Sequence, residues 1–188
     1  MDRMNYCSNC GNSVKYIIPP GDDRPRFWCD TCGTVHYQNP KVVVGCIPEF
    51  EDKILLCRRA IEPCSDKWTL PAGYLETGET VSQGAVREAF EEACANVEII
   101  APYALFNICY VNQIYLMFRA RLRDKDYKPG SESNDVRLFT EEKIPWDEIA
   151  FKVIGVTLEQ YFKDRKSGRF HFHLGDIFSN KKAMTVKY

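Results

Sequence analysis

Apolar residues are spread unevenly along the chain, and the longest early run is Val42-Val43-Val44-Gly45-Cys46-Ile47. A short continuous apolar run of this kind predicts a buried strand. Ile54-Leu55-Leu56-Cys57 predicts a second strand, with a turn at Phe50-Glu51-Asp52-Lys53 between them. The period then changes. Val81, Ala85 and Ala89 recur every four residues, as the apolar stripe of a helix packed on a sheet does. Thr80, with Gln83 three residues on, has the spacing of a capping box and sets the start of that helix. Val97 to Ile108 and Gln113 to Leu122 read as two long strands joined near Val111-Asn112, and Val136 to Phe139 as another. Pro145-Trp146-Asp147-Glu148 opens a helical stretch, and Glu141 and Glu142 read as the start of a local helix. Val153 to Lys163 reads as a helix with Ile154, Leu158, Tyr161 and Phe162 facing inward. Phe170-His171-Phe172-His173 alternates as an edge strand does, with no nearby ligands to make the histidines a metal site. Strands and helices that alternate irregularly predict an α/β fold, a mixed sheet with helices on both faces.

The first 38 residues lack any such pattern. They carry two cysteine knuckles, Cys7-Ser8-Asn9-Cys10-Gly11 and Cys29-Asp30-Thr31-Cys32-Gly33, with 18 residues between Cys10 and Cys29. That spacing suits a four-cysteine zinc site, and each closing Gly permits the tight turn that aims both thiolates at one ion. Two disulfides or four free thiols are the alternatives. The intervening PPGDDRPR run is too polar and proline-rich for a core, so metal has to hold the module together, in a structural role. His36 is a conceivable further ligand, made unnecessary by the fourth thiolate. A ribbon can also bind nucleic acid, with Phe27 and Trp28 to stack on bases, but Asp22, Asp23 and Asp30 offset Lys15, Arg24 and Arg26. The formal net charge of -1 makes no general case for nucleic acid or membrane binding either. No apolar run reaches the roughly 18 residues of a membrane span. The N-terminus lacks a secretory or transit pattern. Nine cysteines, five of them without paired spacing (Cys46, Cys57, Cys64, Cys94, Cys109), point to a reducing, cytoplasmic setting.

On the helix after Thr80, Glu88, Glu91 and Glu92 stand at i, i+3 and i+4, so three carboxylates crowd one patch. Like charges at this spacing cost a few tenths of a kcal/mol per pair, which a bound cation removes. Hard oxygen donors suit Mg²⁺ or Mn²⁺. A solvated acidic face, partly neutralised by Arg87, is the other reading. The residues before the helix shift the balance. From Gly73 the chain runs Gly, five residues, Glu79, seven residues, Arg87-Glu88, then Ala89, Phe90 and Glu91-Glu92. This resembles the signature of the Nudix hydrolases, G-x5-E-x7-R-E-U-x-E-E-x-G-U, with every charged position filled. Cys94 stands where that signature has Gly, a helix C-cap that favours positive φ. A shifted helix end is expected, with Asn96 taking over the turn.

The resemblance implies an α/β/α sandwich with a mixed sheet, preceded by the ribbon. It sets a ribbon at 1-38, a hydrolase domain at 39-166 and a C-terminal extension at 167-188. It implies that Glu88, Glu91 and Glu92 hold Mg²⁺ (or Mn²⁺), with the Gly73 carbonyl as an added ligand, while Arg87 pairs with Glu79 or Glu91 to orient the loop. One of these glutamates, or Glu132 in the segment Glu-Ser-Asn-Asp-Val-Arg-Leu-Phe, takes the proton of the attacking water. Arg58, Arg59 or Lys67 is placed to touch substrate phosphate, with a surface cation as the alternative for each. The implied reaction is hydrolysis of a nucleoside diphosphate joined to another group. The SQPWPFP-type segment of the NADH pyrophosphatases is missing at Tyr103 to Ile108. The YQNPK entry, the LPAGYLE-x-GE run and the RLF strand are similar to those of plant FAD and ADP-ribose pyrophosphatases, which favours FAD or ADP-ribose as substrate. Phe106, Tyr110 and Tyr115 are candidates to sandwich a planar ring, with core packing as the alternative. Trp68 reads as core. A nucleotide sensor and a hydrolase of oxidised nucleotides remain as alternatives. Homodimers are common in the family, and the sequence leaves that open.

Overall fold

We describe residues 4–179 and 184–186 in a computed structural model of the chain. The chain forms two compact units, Met1–Pro40 and Lys41–Tyr188.

In the first unit, β1 (Lys15–Ile17), β2 (Arg26–Trp28) and β3 (Val35–His36) form an antiparallel sheet in that order. The knuckles are tight turns, closed by Gly11 N–H donating to the Cys7 carbonyl (2.9 Å) and Gly33 N–H to the Cys29 carbonyl (2.8 Å). Both glycines sit in the left-handed region, at φ 75° and 74°. There a Cβ is disfavoured.

The second unit is built on β4 (Lys41–Phe50), which pairs in parallel with β9 (Gln113–Leu122). The remaining strands are β5 (Lys53–Arg59), β6 (Trp68–Thr69), β7 (Ala72–Tyr74), β8 (Val97–Ile108), β10 (Ser133–Phe139), β11 (His173–Ile177) and β12 (Met184–Val186). The sheet runs β10-β5-β4-β9-β8-β11-β12, with β6 on β5 and β7 on β4. Helix α1 (Val81–Ala93) covers one face and α2 (Lys152–Ser167) the other. The apolar run in β4 is continuous because it is buried on both faces. Val43 and Ile47 enter a core with Ile154, Leu158, Tyr161 and Phe162 of α2, whereas Cys46 joins Ala85, Ala89 and Ala93 of α1. The architecture is the mixed-sheet α/β/α arrangement anticipated above. No helix among the described residues is long and apolar enough to cross a membrane.

Several elements differ from their expected form. β10 begins at Ser133, three residues early, because Ser133 and Asp135 pair with Arg59 and Arg58 across a register shift. As an edge strand it tolerates the polar residues that hide it in the sequence. Phe170 to Phe172 forms no strand; only His173 of that segment enters β11, which lies inside the sheet and not at its edge, since β12 pairs beyond it. The segment at Pro145 is a single 3-10 turn, Trp146–Glu148, after another at Glu141–Lys143. The end of α1 is not shifted to Asn96. Cys94 itself takes the left-handed cap at φ 48°, ψ 24°, its N–H donating to the Ala89 and Phe90 carbonyls. Bonds from the loop between β9 and β10 to the Glu92 and Ala93 carbonyls hold that end in place.

Candidate functional site

The start of α1 is fixed by the capping box. Thr80 Oγ1 accepts from Gln83 N–H (3.2 Å) and Gln83 Oε1 accepts from Thr80 N–H (2.8 Å). About two turns in, Arg87 ties the incoming loop to the helix. Its Nε and Nη2 donate to Glu79 (3.0 and 2.8 Å), Nη1 to Glu88 (2.7 Å) and Glu91 (2.9 Å), and Nη2 also to the Tyr74 carbonyl (3.0 Å). It therefore pairs with Glu79 and Glu91 together, where the sequence left a choice between them. The hydrogen bonds from Arg87, helped by Glu76 N–H, hold the Glu79 carboxyl down to about 2. The same bonds, that to Glu79 foremost, push Arg87 up.

Glu88 and Glu92 point inward, each less than a tenth exposed, while Glu91 is exposed. The Glu88 carboxyl lies over the backbone of Gly73, where an added Cβ would fall 2.4 Å from its atoms. Only glycine allows that approach. Burial raises Glu88 above its ordinary range against the pull of Arg87, with Glu91 and Glu132 adding to the rise. Burial and the neighbouring Glu88 push Glu92 up to about 8, against the pull of Arg59. Glu92 Oε2 is buried and has no hydrogen-bond partner. An oxygen left in that state costs about 1–3 kcal/mol.

These groups border a cavity of about 950 Å³, which Glu132 enters from the loop before β10. The Glu132 carboxylate makes no hydrogen bond or ion pair among the described residues, and its charge is felt at both Glu88 and Glu92. Of the three candidate cations, only Arg59 lines the cavity, where its guanidinium lies 5.1 Å from the Phe151 ring centroid and its Nε donates to the Pro63 carbonyl. Arg58 turns away to the Asp66 carbonyl (3.0 Å), and Lys67 is exposed outside the cavity. Phe106 is core, as is Trp68. Tyr115 is nearly buried but reaches the cavity wall, and Tyr110 lines it with about half its surface open.

Four lining residues were not legible in the sequence. Tyr74, whose hydroxyl accepts from Gln113 Nε2 (2.9 Å), stands in the signature run, where an exposed aromatic beside acidic residues is a usable signal. Gln113, Phe151 and Lys152 carry no such signal, because only the fold brings the β8–β9 turn and the start of α2 to the same wall.

In the first unit the Sγ atoms of Cys7, Cys10, Cys29 and Cys32 lie within 4.8 Å of one another. Cys10 and Cys29 are 3.5 Å apart, and Cys7 and Cys32 3.7 Å. Four sulfurs at about 2.3 Å from a tetrahedral zinc stand about 3.8 Å apart, so the cluster fits that ion. His36 Nε2 lies 3.3 Å from Cys7 Sγ. Lys15, Arg24 and Arg26 pair with Asp30, Asp23 and Asp22, and Phe27 is buried. Little free positive charge is left there for a phosphate backbone.

Comparison with known proteins agrees with this geometry. Residues 5–38 match the zinc-ribbon family described as Nudix N-terminal, and residues 39–155 the NUDIX domain. The crystal structure of a NUDIX hydrolase from Nitrosomonas europaea superposes with a TM-score of 0.91 at 54% identity, covering 94% of this chain and 100% of that one. The NAD-capped RNA hydrolase NudC of Haemophilus influenzae is 28% identical over 167 residues, which cover 82% of this chain and 60% of that protein. This chain thus matches only part of the length of such curated relatives. The ADP-ribose pyrophosphatase of Methanocaldococcus jannaschii is 45% identical over 56 residues, 30% of this chain and 33% of that protein. With most of its length matched by the domain and the signature carboxylates gathered at one cavity, the chain belongs to the Nudix family.

Proposed function

We propose that this protein hydrolyses the diphosphate linkage of a nucleoside diphosphate derivative, FAD or ADP-ribose in preference to others, and releases AMP. One observation carries the reading: Glu88, Glu91 and Glu92 of α1 meet Glu132 at one cavity, with Glu92 Oε2 buried and unpartnered. That orphaned oxygen and the all-oxygen donor set fit a hard divalent ion, Mg²⁺ or Mn²⁺. Glu88, Glu91, Glu92 and the Gly73 carbonyl would hold it. Bound there, a divalent ion neutralises diphosphate charge and lowers the pKa of water.

The chain's own residues supply the rest. Arg87 and Glu79 fix the loop to the helix, so that Gly73 and Glu88 keep their contact. Glu132, the carboxylate with no partner of its own, takes the proton of the attacking water. Arg59, braced on Phe151 and Pro63, attracts the substrate phosphates. Tyr110 and Tyr115, with Tyr74, offer faces for the ring of the nucleoside. The cavity is at the upper end of the range for small-ligand sites, which suits a two-part substrate. In the first unit Cys7, Cys10, Cys29 and Cys32 would bind one Zn²⁺; four thiolates close the shell, so its role is structural.

A second reading, hydrolysis of NADH or an NAD-type end, draws support from the likeness to the named NudC protein over 82% of this chain. The test is a Mg²⁺-dependent panel of FAD, ADP-ribose, NADH, diadenosine polyphosphates and oxidised dGTP. AMP with FMN, or AMP with ribose 5-phosphate, is the expected product pair, and preference for NADH favours the second reading. Glu92→Gln should abolish turnover while leaving the melt similar. Turnover near wild type in that variant would remove the assignment of the site.

A further inference from the structure

The loop that carries Glu132 is stapled to the end of α1. Lys128 N–H donates to the Ala93 carbonyl (2.9 Å) and Gly130 N–H to the Glu92 carbonyl (3.0 Å). These are carbonyls that a helix end leaves without intrahelical donors. Beyond Gly130 the chain is held again. Ser133 N–H donates to the Gly130 carbonyl (3.3 Å), and the Glu132 carbonyl accepts from Ala60 N–H (2.8 Å) just past β5. Glu132 is therefore suspended between the end of the acidic helix and the end of a strand.

At Gly130 the approach leaves no room for a side chain. An added Cβ would lie 1.7 Å from the Glu91 carbonyl oxygen and 3.1 Å from the Glu92 carbonyl carbon. Gly130 is not among the glycines with positive φ, so it is required for space and not for a turn. The obstructing atoms are backbone of α1, within the segment that carries Glu91 and Glu92. They cannot retreat without breaking the helix, so the loop is the part that moves.

We propose that Gly130 is a positioning residue. By seating the loop backbone directly on the α1 backbone, it sets the distance of Glu132 from Glu88 and Glu92. This rests on the reading that Glu132 acts at the diphosphate site. A Cβ at this place pushes the loop outward by more than about 1 Å, and a displacement of that size at a reacting group lowers rates by roughly 10²-fold.

The experiment is a double-mutant cycle of Gly130→Ala and Glu132→Gln in the full chain. It reads kcat and KM separately for ADP-ribose and FAD at saturating Mg²⁺, with thermal melts alongside. Gly130→Ala should lower kcat about ten- to hundred-fold with KM little changed. In the Glu132→Gln background the same substitution should change kcat less than about twofold, as for residues acting as one unit. Equal losses in both backgrounds would overturn the proposal, because a general loss of folded protein acts on both alike. Wild-type kcat in Gly130→Ala would overturn it too. An inactive wild type, or Glu132→Gln at full kcat, removes the underlying reading and the inference with it. If Gly130→Ala does not fold, Lys128→Pro, which deletes the other staple's N–H, goes through the same cycle with the same expected outcome.

Discussion

Arg87 decides the state of the residues around it. Its guanidinium bonds Glu79, Glu88 and Glu91 at once, so carboxylates that would repel one another are held together. Glu79 shows the consequence. Its depressed carboxyl contributes stability that is fully present above its ordinary value of 4.5 and is lost as pH falls through about 2. Arg87 stays charged across that window. A carbon-detected NMR titration should therefore place the Glu79 midpoint near 2 in the native protein. In Arg87→Met the midpoint should move back towards 4.5. A midpoint that stays low in the variant would show that Glu76 N–H, and not Arg87, holds it down. The charged residues of this site were legible because the signature fixes their type and spacing on one helix and its entry loop. Arg59 could not be told from Arg58 or Lys67, since strand alternation and a loop turn decide which cation faces the cavity. The unpartnered Glu92 oxygen was not legible either, because burial belongs to the fold.

The end of α1 shows how far a local pattern reaches at the level of an element. Where the family signature has glycine, Cys94 adopts φ 48°, ψ 24° and the helix stops in the same place. A left-handed residue with a Cβ costs about 1–2 kcal/mol. Cys94→Gly should relieve most of it and stabilise the protein by about 1 kcal/mol, a rise in Tm of roughly 2–4 °C for a chain of this size. Turnover should be unchanged, because the carboxylates and the loop bonds to the Glu92 and Ala93 carbonyls remain. An unchanged or lower melt would mean that Cys94 gains enough from packing to offset its backbone. The expected shift of this helix end failed because the capping reads only local φ preference, whereas Lys128 and Gly130 hold the terminus from 35 and 38 residues downstream of Ala93 and Glu92. The helices and long strands were legible from periodicity. β10 reads short because polar residues fill its first half, and the alternation at Phe170–His173 misplaces β11 and its depth in the sheet because its outer partner β12 lies in a segment without a clear apolar alternation.

At the scale of the whole molecule the two units are stabilised by different means. Lys41–Tyr188 has an apolar core on each face of its sheet. In Met1–Pro40 the buried apolar residues among those described are Cys7, Pro19, Phe27 and Cys29, and two of these are zinc ligands in our assignment. A buried phenylalanine contributes about 1.5–3 kcal/mol, and with one proline beside it the sum stays far below the conformational entropy of ordering some thirty residues. Metal binding therefore has to supply the folding free energy of this unit. Native mass spectrometry should find one zinc per chain. A strong chelator that removes it should leave amides 5–38 exchanging as in an unfolded chain, while the amides of β4, β9 and α1 stay protected. Protection of residues 5–38 that survives zinc removal would rule out the metal as the source of order. Loss of protection in both units together would instead show that they fold as one cooperative body.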